Sequence, residues 1–160
     1  MSTVGVNTNG LRCMHALFCE ECRLEPDGTS TLVSLFTRLS TPQLPLSRPL
    51  CFVCFLEREV EPGGRTGPES IDVTLRILSP FGVTVHTSSR EAPFVPHVPG
   101  KTRCGLSIPV SRMIFDEYGD YAFELYVGEE YLHAETLTIK PDKAWGVEIQ
   151  RPPPPGGWNS

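Results

Sequence analysis

Apolar and polar residues alternate with a period of two through most of this chain. The clearest example is "SIDVTLRIL", in which every second residue is apolar: Ile71, Val73, Leu75 and Ile77. The segments "TRCGLSIPV" and "YAFELYV" repeat the pattern. Because successive side chains of a strand point to opposite faces, this period predicts half-buried β-strands. No window keeps a period of 3.6 residues long enough for a major helix.

One segment departs from alternation because it is apolar almost throughout. "LCFVCFL", within residues 50–60, predicts a central strand buried on both faces. We expect Phe52 from this strand and Leu75 from the alternating segment to lie between two sheets. Turn signals such as Asp27-Gly28 and proline-rich loops separate the strands. Residues 111–118 are compatible with a short helical turn.

This succession of short strands and turns predicts an all-β fold. The expected architecture is an antiparallel immunoglobulin-like β-sandwich of about seven to eight strands. "YGDYAFELYV" adds one detail, because a Gly-x-Tyr that enters a late strand is typical of a tyrosine corner. Tyr121 would be the residue whose hydroxyl is tied to nearby backbone. The cysteine and tryptophan of antibody domains are absent around it, so only the architecture is indicated.

The composition indicates one domain between two tails. The 160 residues suffice for one hydrophobic core. We interpret residues 1–12 as a flexible N-terminal segment, 13–150 as the single sandwich domain and 151–160 as a proline-rich tail. The tail "RPPPPGGWNS" is expected to adopt polyproline II geometry before a flexible glycine pair.

Charge narrows the classes of partner. The net charge is -5 and the basic residues are scattered, which argues against nucleic acid and against an anionic membrane surface. No apolar run has signal-peptide or membrane-spanning character. We therefore expect a cytoplasmic protein whose six cysteines are reduced.

Four of the cysteines form two Cys-x-x-Cys pairs, which raises the question of a metal site. Cys19, Cys22, Cys51 and Cys54 have the spacing of a zinc ribbon. Neither pair contains the glycine or proline of a tight metal-binding knuckle. Both lie in strand-like runs, where residues three apart point to opposite faces. We therefore predict buried structural thiols and no metal, with a four-cysteine metal or redox site as the alternative.

Two segments are candidates for recognition of a protein partner. "SSREAPFVPHVPGK" interrupts the strand pattern, and its prolines recur every three residues, which would display Phe94 and His97 on a polyproline II loop. The alternative is a loop that caps the core. The second candidate is the tail, since aromatic grooves bind preformed proline segments readily. Its candidate residues are Pro152, Pro153, Pro154, Pro155 and Trp158, and the alternative is a disordered terminus.

The order of these motifs resembles an uncharacterised family of short bacterial and phage-associated β-sandwich proteins. The likeness runs through residues 14–140. It rests on "LFCEECRLEPDGTSTLVSLFTRLSTPQLP", "CFVCFLERE", "VTLRILSPFG" and "GDYAFELYVGEEYL". The resemblance implies a fold and a domain of unknown function, and it assigns no activity.

The sequence contains no motif of a known active site. There is no Gly-x-Ser-x-Gly, and "EPGGRTGPES" lacks the Lys-Ser/Thr of a phosphate-binding loop. We expect a non-enzymatic protein-binding or scaffold module of a bacterial cytosolic system, with no catalytic residues, no cofactor and a protein partner of unknown identity. An enzyme without a recognisable motif remains the other alternative.

Overall fold

All regular secondary structure in the described residues is β-strand, which confirms the predicted all-β class. The computed structural model describes residues 10–27, 29–60, 69–96, 98–110 and 113–142. In this part of the chain, eleven strands follow one another: β1 (Leu11–Leu24), β2 (Ser30–Phe36), β3 (Arg38–Thr41), β4 (Leu46–Ser47), β5 (Leu50–Glu59), β6 (Glu69–Leu78), β7 (Thr84–Pro96), β8 (Lys101–Val110), β9 (Ile114–Phe115), β10 (Gly119–Val127) and β11 (Glu130–Pro141).

Nine of these strands form one continuous sheet in the order β2-β1-β5-β8-β7-β6-β10-β11-β3, and β4 pairs with β9. The sheet has two halves, because β7 and β8 are joined only through Val95–Arg103 and Pro96–Thr102. Its two outermost strands, β2 and β3, are separated along the chain by Thr37 alone. The sheet therefore curls back until its two ends nearly meet.

The core lies between the two halves. The ring centroid of Phe123, on β10, is 4.7 Å from that of Phe18 on β1 and 5.7 Å from that of Phe52 on β5. Phe52 and Leu75 are both fully buried in this cluster, as predicted. Aromatic and aliphatic side chains from both halves thus bury one common apolar surface, which is the main stabilising contribution.

The predicted alternation is confirmed on three strands. The buried apolar residues on β6, β8 and β10 are Val73, Leu75 and Ile77, then Cys104, Leu106, Ile108 and Val110, then Tyr121, Phe123, Leu125 and Val127. Strand β5 is buried on both faces through most of its length. The Tyr121 hydroxyl accepts a hydrogen bond from the Glu117 amide at 3.2 Å, as expected of the residue at a tyrosine corner.

The expected strand number and the purely antiparallel pairing are corrected by the structure. Eight strands have seven or more residues, and the three that raise the number to eleven have only four or two. Such short strands carry no readable period. Strand β3 pairs with β11 in parallel. Parallel pairing arises because the chain crosses at Thr37 from one half of the sheet to the other, which a local pattern does not reveal.

Two local predictions were wrong. Strand β7 continues through "REAPFVP" as far as Pro96, where a proline-spaced loop was expected. Pro93 is in register with Ser70 on β6, and β8 joins β7 only from Val95 onward. A proline is tolerated in a strand segment that has a neighbour on one side only. In place of a helical turn, Ile114–Phe115 form strand β9, which pairs with β4.

The described domain begins earlier than predicted. Strand β1 starts at Leu11, which is buried in the core, although residues 1–12 were expected to be flexible. The sequence did not indicate this start because Arg12 is charged, and a charged residue is uncommon at the beginning of a buried strand. In the structure, Arg12 forms an ion pair with Glu57. Residues 1–9, most of the loop after β5, and residues 143–160 lie outside the described part.

Candidate binding face

The surface of β1, β5 and β8 that points away from the core, called the outer face here, is arranged in cross-strand rows. The rows are Arg12–Glu57–Arg103, His15–Phe55–Gly105, Leu17–Val53–Ser107 and Cys19–Cys51–Pro109. Residues opposite one another on neighbouring strands are in lateral contact. The outer face therefore has a charged end, at Glu57, and an apolar end, at Cys51.

At the charged end, a carboxylate is surrounded by cations. Only 2 % of the Glu57 side chain is exposed. Arg12 Nη2 donates to its Oε1 at 2.9 Å, Arg103 Nε donates to its Oε2 at 3.1 Å, and Lys101 Nζ lies 3.5 Å from Oε1. The hydrogen bonds from Arg12 and Arg103, with the charge of Lys101, lower the pKa of Glu57 to about 2.

The three cations, called the basic rim here, outnumber the carboxylate that they surround. Half of the Arg12 and Arg103 side chains remains exposed, at 54 % and 50 %. Each guanidinium has five N–H donors, and Glu57 occupies only some of them. The basic rim therefore keeps free donors and excess positive charge on a chain whose net charge is -5.

Beside the basic rim, one aromatic ring lies open to solvent. Phe55 is 37 % exposed, and its neighbour across the sheet is Gly105. A Cβ on Gly105 would stand 3.4 Å from Cε1 of the Phe55 ring. The edge of the ring faces His15, with the ring centroids 6.4 Å apart. The absence of a side chain at Gly105 thus leaves the ring room to lie along the sheet.

The tip of the β1–β2 hairpin bends toward this face. Strand β1 pairs with β5 only as far as Cys19–Cys51, and beyond that point it pairs with β2 alone. The β1–β2 register skips Glu20 and Ser34, and Ser34 has a φ of 58°, which interrupts regular strand geometry. Leu24 and Ser30, at the tip, consequently line a cavity together with residues of β5, β7 and β8.

This cavity forms a groove between the hairpin tip and the outer face. Its volume is about 350 Å³. It is lined by Cys22, Leu24, Ser30, Val53, Phe55, Arg90, Glu91, Pro93, Gly105, Leu106 and Ser107. Leu24 is 79 % exposed, and Arg90 Nη1 donates to the Ser107 carbonyl oxygen at 3.2 Å. The groove thus joins apolar walls to a few charged groups, as is typical of binding sites.

The six cysteines, all free thiols, divide into two sets of three on opposite faces of the same sheet. The outer trio consists of Cys19, Cys22 and Cys51, which pack together with Val53 and Leu32. The inner trio consists of Cys13, Cys54 and Cys104, which belong to or border the main core. The outer trio thus keeps the Cys19–Cys22 pair together, whereas the Cys51–Cys54 pair is divided between the two faces.

Burial shifts the acidity of most of these thiols. Burial, with the nearby Cys51 and Cys22, raises the pKa of Cys19 to about 11. Burial and Cys22 also raise the pKa of Cys51, although Ser107, Cys19 and Arg90 oppose the shift. Burial, with the nearby Cys13 and Cys104, raises the pKa of Cys54 well above its usual range. Thiols of this kind are protonated at neutral pH and are poor nucleophiles.

The four cysteines considered as a metal-site alternative do not converge. Cys54 points into the core and Cys51 to the outer face, as strand geometry predicted. Cys19 and Cys22, however, lie on the same side, because the hairpin bends between them. Within residues 10–142, as far as they are described, no three His, Cys, Asp or Glu side chains are placed to hold a metal ion.

Of the residues predicted for recognition, Phe94 lies in the described part of the chain. Phe94 is fully buried in the core on β7, so the prediction that a loop displays it is wrong. The strand register places it inside because it follows Ala92 on the same face. His97 and the tail residues Pro152, Pro153, Pro154, Pro155 and Trp158 lie outside the described residues.

The other half of the sheet carries a different, polar outer surface. Arg76 Nη2 lies 3.2 Å from Glu124 Oε1 and 2.5 Å from the Tyr126 hydroxyl oxygen, which itself donates to Glu124 at 2.8 Å. The Arg76 guanidinium also lies over the Tyr126 ring, 4.8 Å from its centroid. These groups hydrogen-bond one another, and the Arg76 side chain remains 42 % exposed.

Sequence reasoning missed Glu57 and Gly105. A glutamate directly after an apolar run, and a glycine inside an alternating strand, are the signals that could have found them. Their partners Arg12 and Arg103 come from distant segments, so the cluster becomes visible only when the strand register is known.

The fold and this face define an all-β protein with a mixed apolar and basic sheet surface. The chain belongs to the family described as "Family of unknown function (DUF6941)", whose model matches residues 14–140. The predicted membership of an uncharacterised family is thereby confirmed. No curated protein matches the chain significantly.

Two solved structures show a distant likeness. One is the Pseudomonas fluorescens alkylpurine DNA glycosylase AlkC bound to DNA containing an abasic site analogue, with 9 % identity and a TM-score of 0.45. The match covers 82 % of this chain but only 30 % of that one. The other is the C-terminal domain of wzt, with 12 % identity, a TM-score of 0.41, and coverage of 81 % and 73 %. Such low values carry no inference about function.

The described residues include no helix that could cross a membrane.

Proposed function

We propose that this protein is a non-enzymatic binding module, and that its outer face takes up an extended segment of a partner protein. The observation that carries the proposal is the groove between the hairpin tip and the outer face, whose lining residues Phe55 and Gly105 form the row next to Glu57 and Arg103. Its apolar walls offer burial, and the basic rim offers charge complementarity to an acidic residue.

The spacing of the rows defines the segment further. Successive rows are two residues apart along β5, which is about 6.6 Å. An extended peptide presents every second side chain on one side with the same repeat. A segment that lies along β5 would place an Asp or Glu at the basic rim and apolar residues at the next two rows, at Phe55 and Val53. The expected motif is acidic-x-apolar-x-apolar, in either chain direction.

The proposal also includes an immunoglobulin-like architecture, a bacterial or phage-associated origin and a cytoplasmic location. The hydrogen bond between Tyr121 and Glu117 supports an immunoglobulin-like arrangement. The six free thiols support a reducing compartment, such as the cytoplasm. A bacterial or phage-associated system rests on the resemblance of the sequence motifs.

A library of displayed random peptides tests the proposed specificity. We expect enrichment of the acidic-x-apolar-x-apolar motif, and weaker binding in Phe55→Ala and Arg103→Glu. Phe81→Ala is the control, since Phe81 is a more exposed ring, at 78 %, and lies in the β6–β7 turn outside the lining of the groove. Arg103→Glu should also reduce the salt dependence of the affinity. Enriched peptides without an acidic residue, or binding that Phe55→Ala leaves unchanged, would contradict the proposal.

A further inference from the structure

We propose that the outer trio is a thiol oxidation site, at which a hydroperoxide drives formation of a disulfide between Cys22 and Cys51. The site is built by the bend of the hairpin, which brings Cys22 back over the sheet. Cys22 packs against Cys19, Cys51 and Val53, although strand β5 ends its pairing with β1 at Cys19. The three thiols are thus collected from two strands into one cluster.

The members of the trio differ in access, which assigns their roles. Cys22 is partly exposed and lines the groove, so a small oxidant reaches it from solvent. Cys19 and Cys51 are buried beneath it, at 0 % and 5 % exposure. Reactive cysteines are generally the accessible ones that have a second cysteine close by. Cys22 is therefore the residue oxidised first, and a buried thiol completes the reaction.

Cys51 is the better candidate for the second thiol. The Cys19 Sγ donates a hydrogen bond to the Cys51 carbonyl oxygen at 3.7 Å, which engages its proton. Cys51 lies next to both other cysteines, and Ser107, Cys19 and Arg90 oppose the rise in its pKa that burial and Cys22 cause. A disulfide from Cys51 to Cys22 also spans two different strands, whereas one from Cys19 would join residues of a single strand.

The reaction balances with a hydroperoxide as the only oxidant. The Cys22 thiolate sulfur attacks the outer peroxide oxygen, the O–O bond breaks, and the alkoxide or hydroxide that leaves takes up a proton. Cys22 is then a sulfenic acid, two electrons more oxidised. The Cys51 sulfur, after it loses its proton, attacks the Cys22 sulfur, the S–O bond breaks, and water leaves. Two thiols and one hydroperoxide thus give one disulfide, one alcohol or water, and one water.

The disulfide would fasten the hairpin tip to the outer face. Cys22 belongs to the hairpin and Cys51 to the central strand, so the bond would hold the groove at one width. An effect of the disulfide on partner binding rests on the proposed function. The formation of the disulfide does not, because it depends only on the thiols. Peptide affinity and disulfide formation are therefore measured separately, and one can fail without the other.

Peptide mapping of the full chain after treatment with hydrogen peroxide tests the site. A glutamate-specific protease cuts between Cys19 and Cys22, and chymotrypsin cuts between Cys51 and Cys54, because Glu20, Glu21 and Phe52 supply the cleavage sites. We expect one cross-linked peptide that contains Cys22 and Cys51, and that a thiol reductant separates. The inner trio should remain open to alkylation once the oxidised protein is unfolded.

Variants distinguish the pairings. Cys19→Ser and Cys54→Ser should still form the cross-link, while Cys22→Ser should lose it. Amide exchange of the hairpin tip should slow about tenfold on oxidation of the wild type and stay unchanged in Cys22→Ser. A Cys19–Cys51 or Cys19–Cys22 cross-link in the wild type, or Cys22 that proceeds to sulfinic acid without a disulfide, would overturn the inference. The wild-type map decides the question even if a variant fails to fold.

Discussion

The two faces of strand β5 are both largely buried, but for different physical reasons. On β5 the inner residues Phe52, Cys54 and Leu56 are sealed in one apolar core. On the outer face, Glu57 is shielded by three cations and Cys51 lies in the cluster under the hairpin. An inner face is buried because the fold requires it, whereas an outer face is buried only where a particular contact covers it. The remaining open part, around Phe55, is therefore where a partner can add burial.

The largest expected effect is the loss of a ring from the inner face. Phe52→Ala should lower the free energy of unfolding by about 3–5 kcal/mol, through lost transfer free energy and the cavity left behind. Phe55→Ala, three residues further along the same strand, should cost about 1 kcal/mol or less, since its ring is already partly in water. Chemical denaturation measures both. Equal losses would mean that the outer ring is as much a part of the core as the inner one.

A smaller difference is expected for the two sets of cysteines. Cys54→Ser puts an unpaired hydroxyl into the core and should cost about 1–3 kcal/mol. Cys22→Ser, at a partly exposed position, should change the free energy of unfolding by about 0.5 kcal/mol or less. Thermal unfolding under reducing conditions compares them directly. If Cys22→Ser proved the more damaging, the hairpin would be fastened by packing of that thiol and not by the strand pairing.

The buried carboxylate of Glu57 should make the stability of the protein depend on pH. The pKa of Glu57 is about 2 in the folded protein and near 4.5 when unfolded, so its contribution to stability is present above pH 4.5. That contribution is lost as the pH falls from 4.5 to about 2, because the unfolded chain takes up the proton first. The half-exposed cations moderate the effect by solvent screening.

Glu57→Gln tests this assignment, since it keeps the shape of the side chain and removes its charge. Relative to wild type, the variant should have a lower melting temperature at pH 7 and a difference that shrinks toward pH 2. Glu20→Gln, an exposed change on the neighbouring strand, is the control. A difference in melting temperature that stays constant from pH 7 to pH 2 would show that the basic rim does not stabilise the charged form of Glu57.

The smallest effect on stability is expected at Gly105. In Gly105→Ala the new Cβ would meet the Phe55 ring at 3.4 Å, which is ordinary van der Waals contact. The free energy of unfolding should therefore change by about 0.5 kcal/mol or less. Binding of an acidic-apolar peptide should nevertheless weaken, because the added methyl group occupies space in the groove beside the ring. Unchanged affinity would remove Phe55 from the contact surface.

Much of the inner face could be predicted from residues alone. The period of two on "SIDVTLRIL" and "YAFELYV" identified the buried side of β6 and β10, because a half-buried strand must separate apolar from polar side chains. The continuous run in β5 likewise identified a strand with neighbours on both faces. The prolines in β7 misled the interpretation, since their effect depends on which side of the strand has a partner.

Little of the candidate site could be predicted. Phe94 was expected at the surface and lies in the core, whereas Phe55 was hidden within an apolar run and is partly open. Both outcomes depend on which neighbours pack against the strand. Similarly, the spacing of the second Cys-x-x-Cys pair grouped Cys51 with Cys54, which the sheet separates, and only the register of β1 with β5 brings Cys19 opposite Cys51.

The sequence by itself determined the all-β class, the long strands and the apolar residues that form the core, because these follow from side-chain periodicity and backbone preference. Only the tertiary structure decided that Arg12 and Arg103 enclose Glu57, that the hairpin bends over the outer face, and that six cysteines form two trios. Those features depend on strand order and register, which are set by the simultaneous packing of distant segments around one core. The pattern along the chain predicts which side chains share a face of each strand. It does not predict which residues of other strands pack against that face.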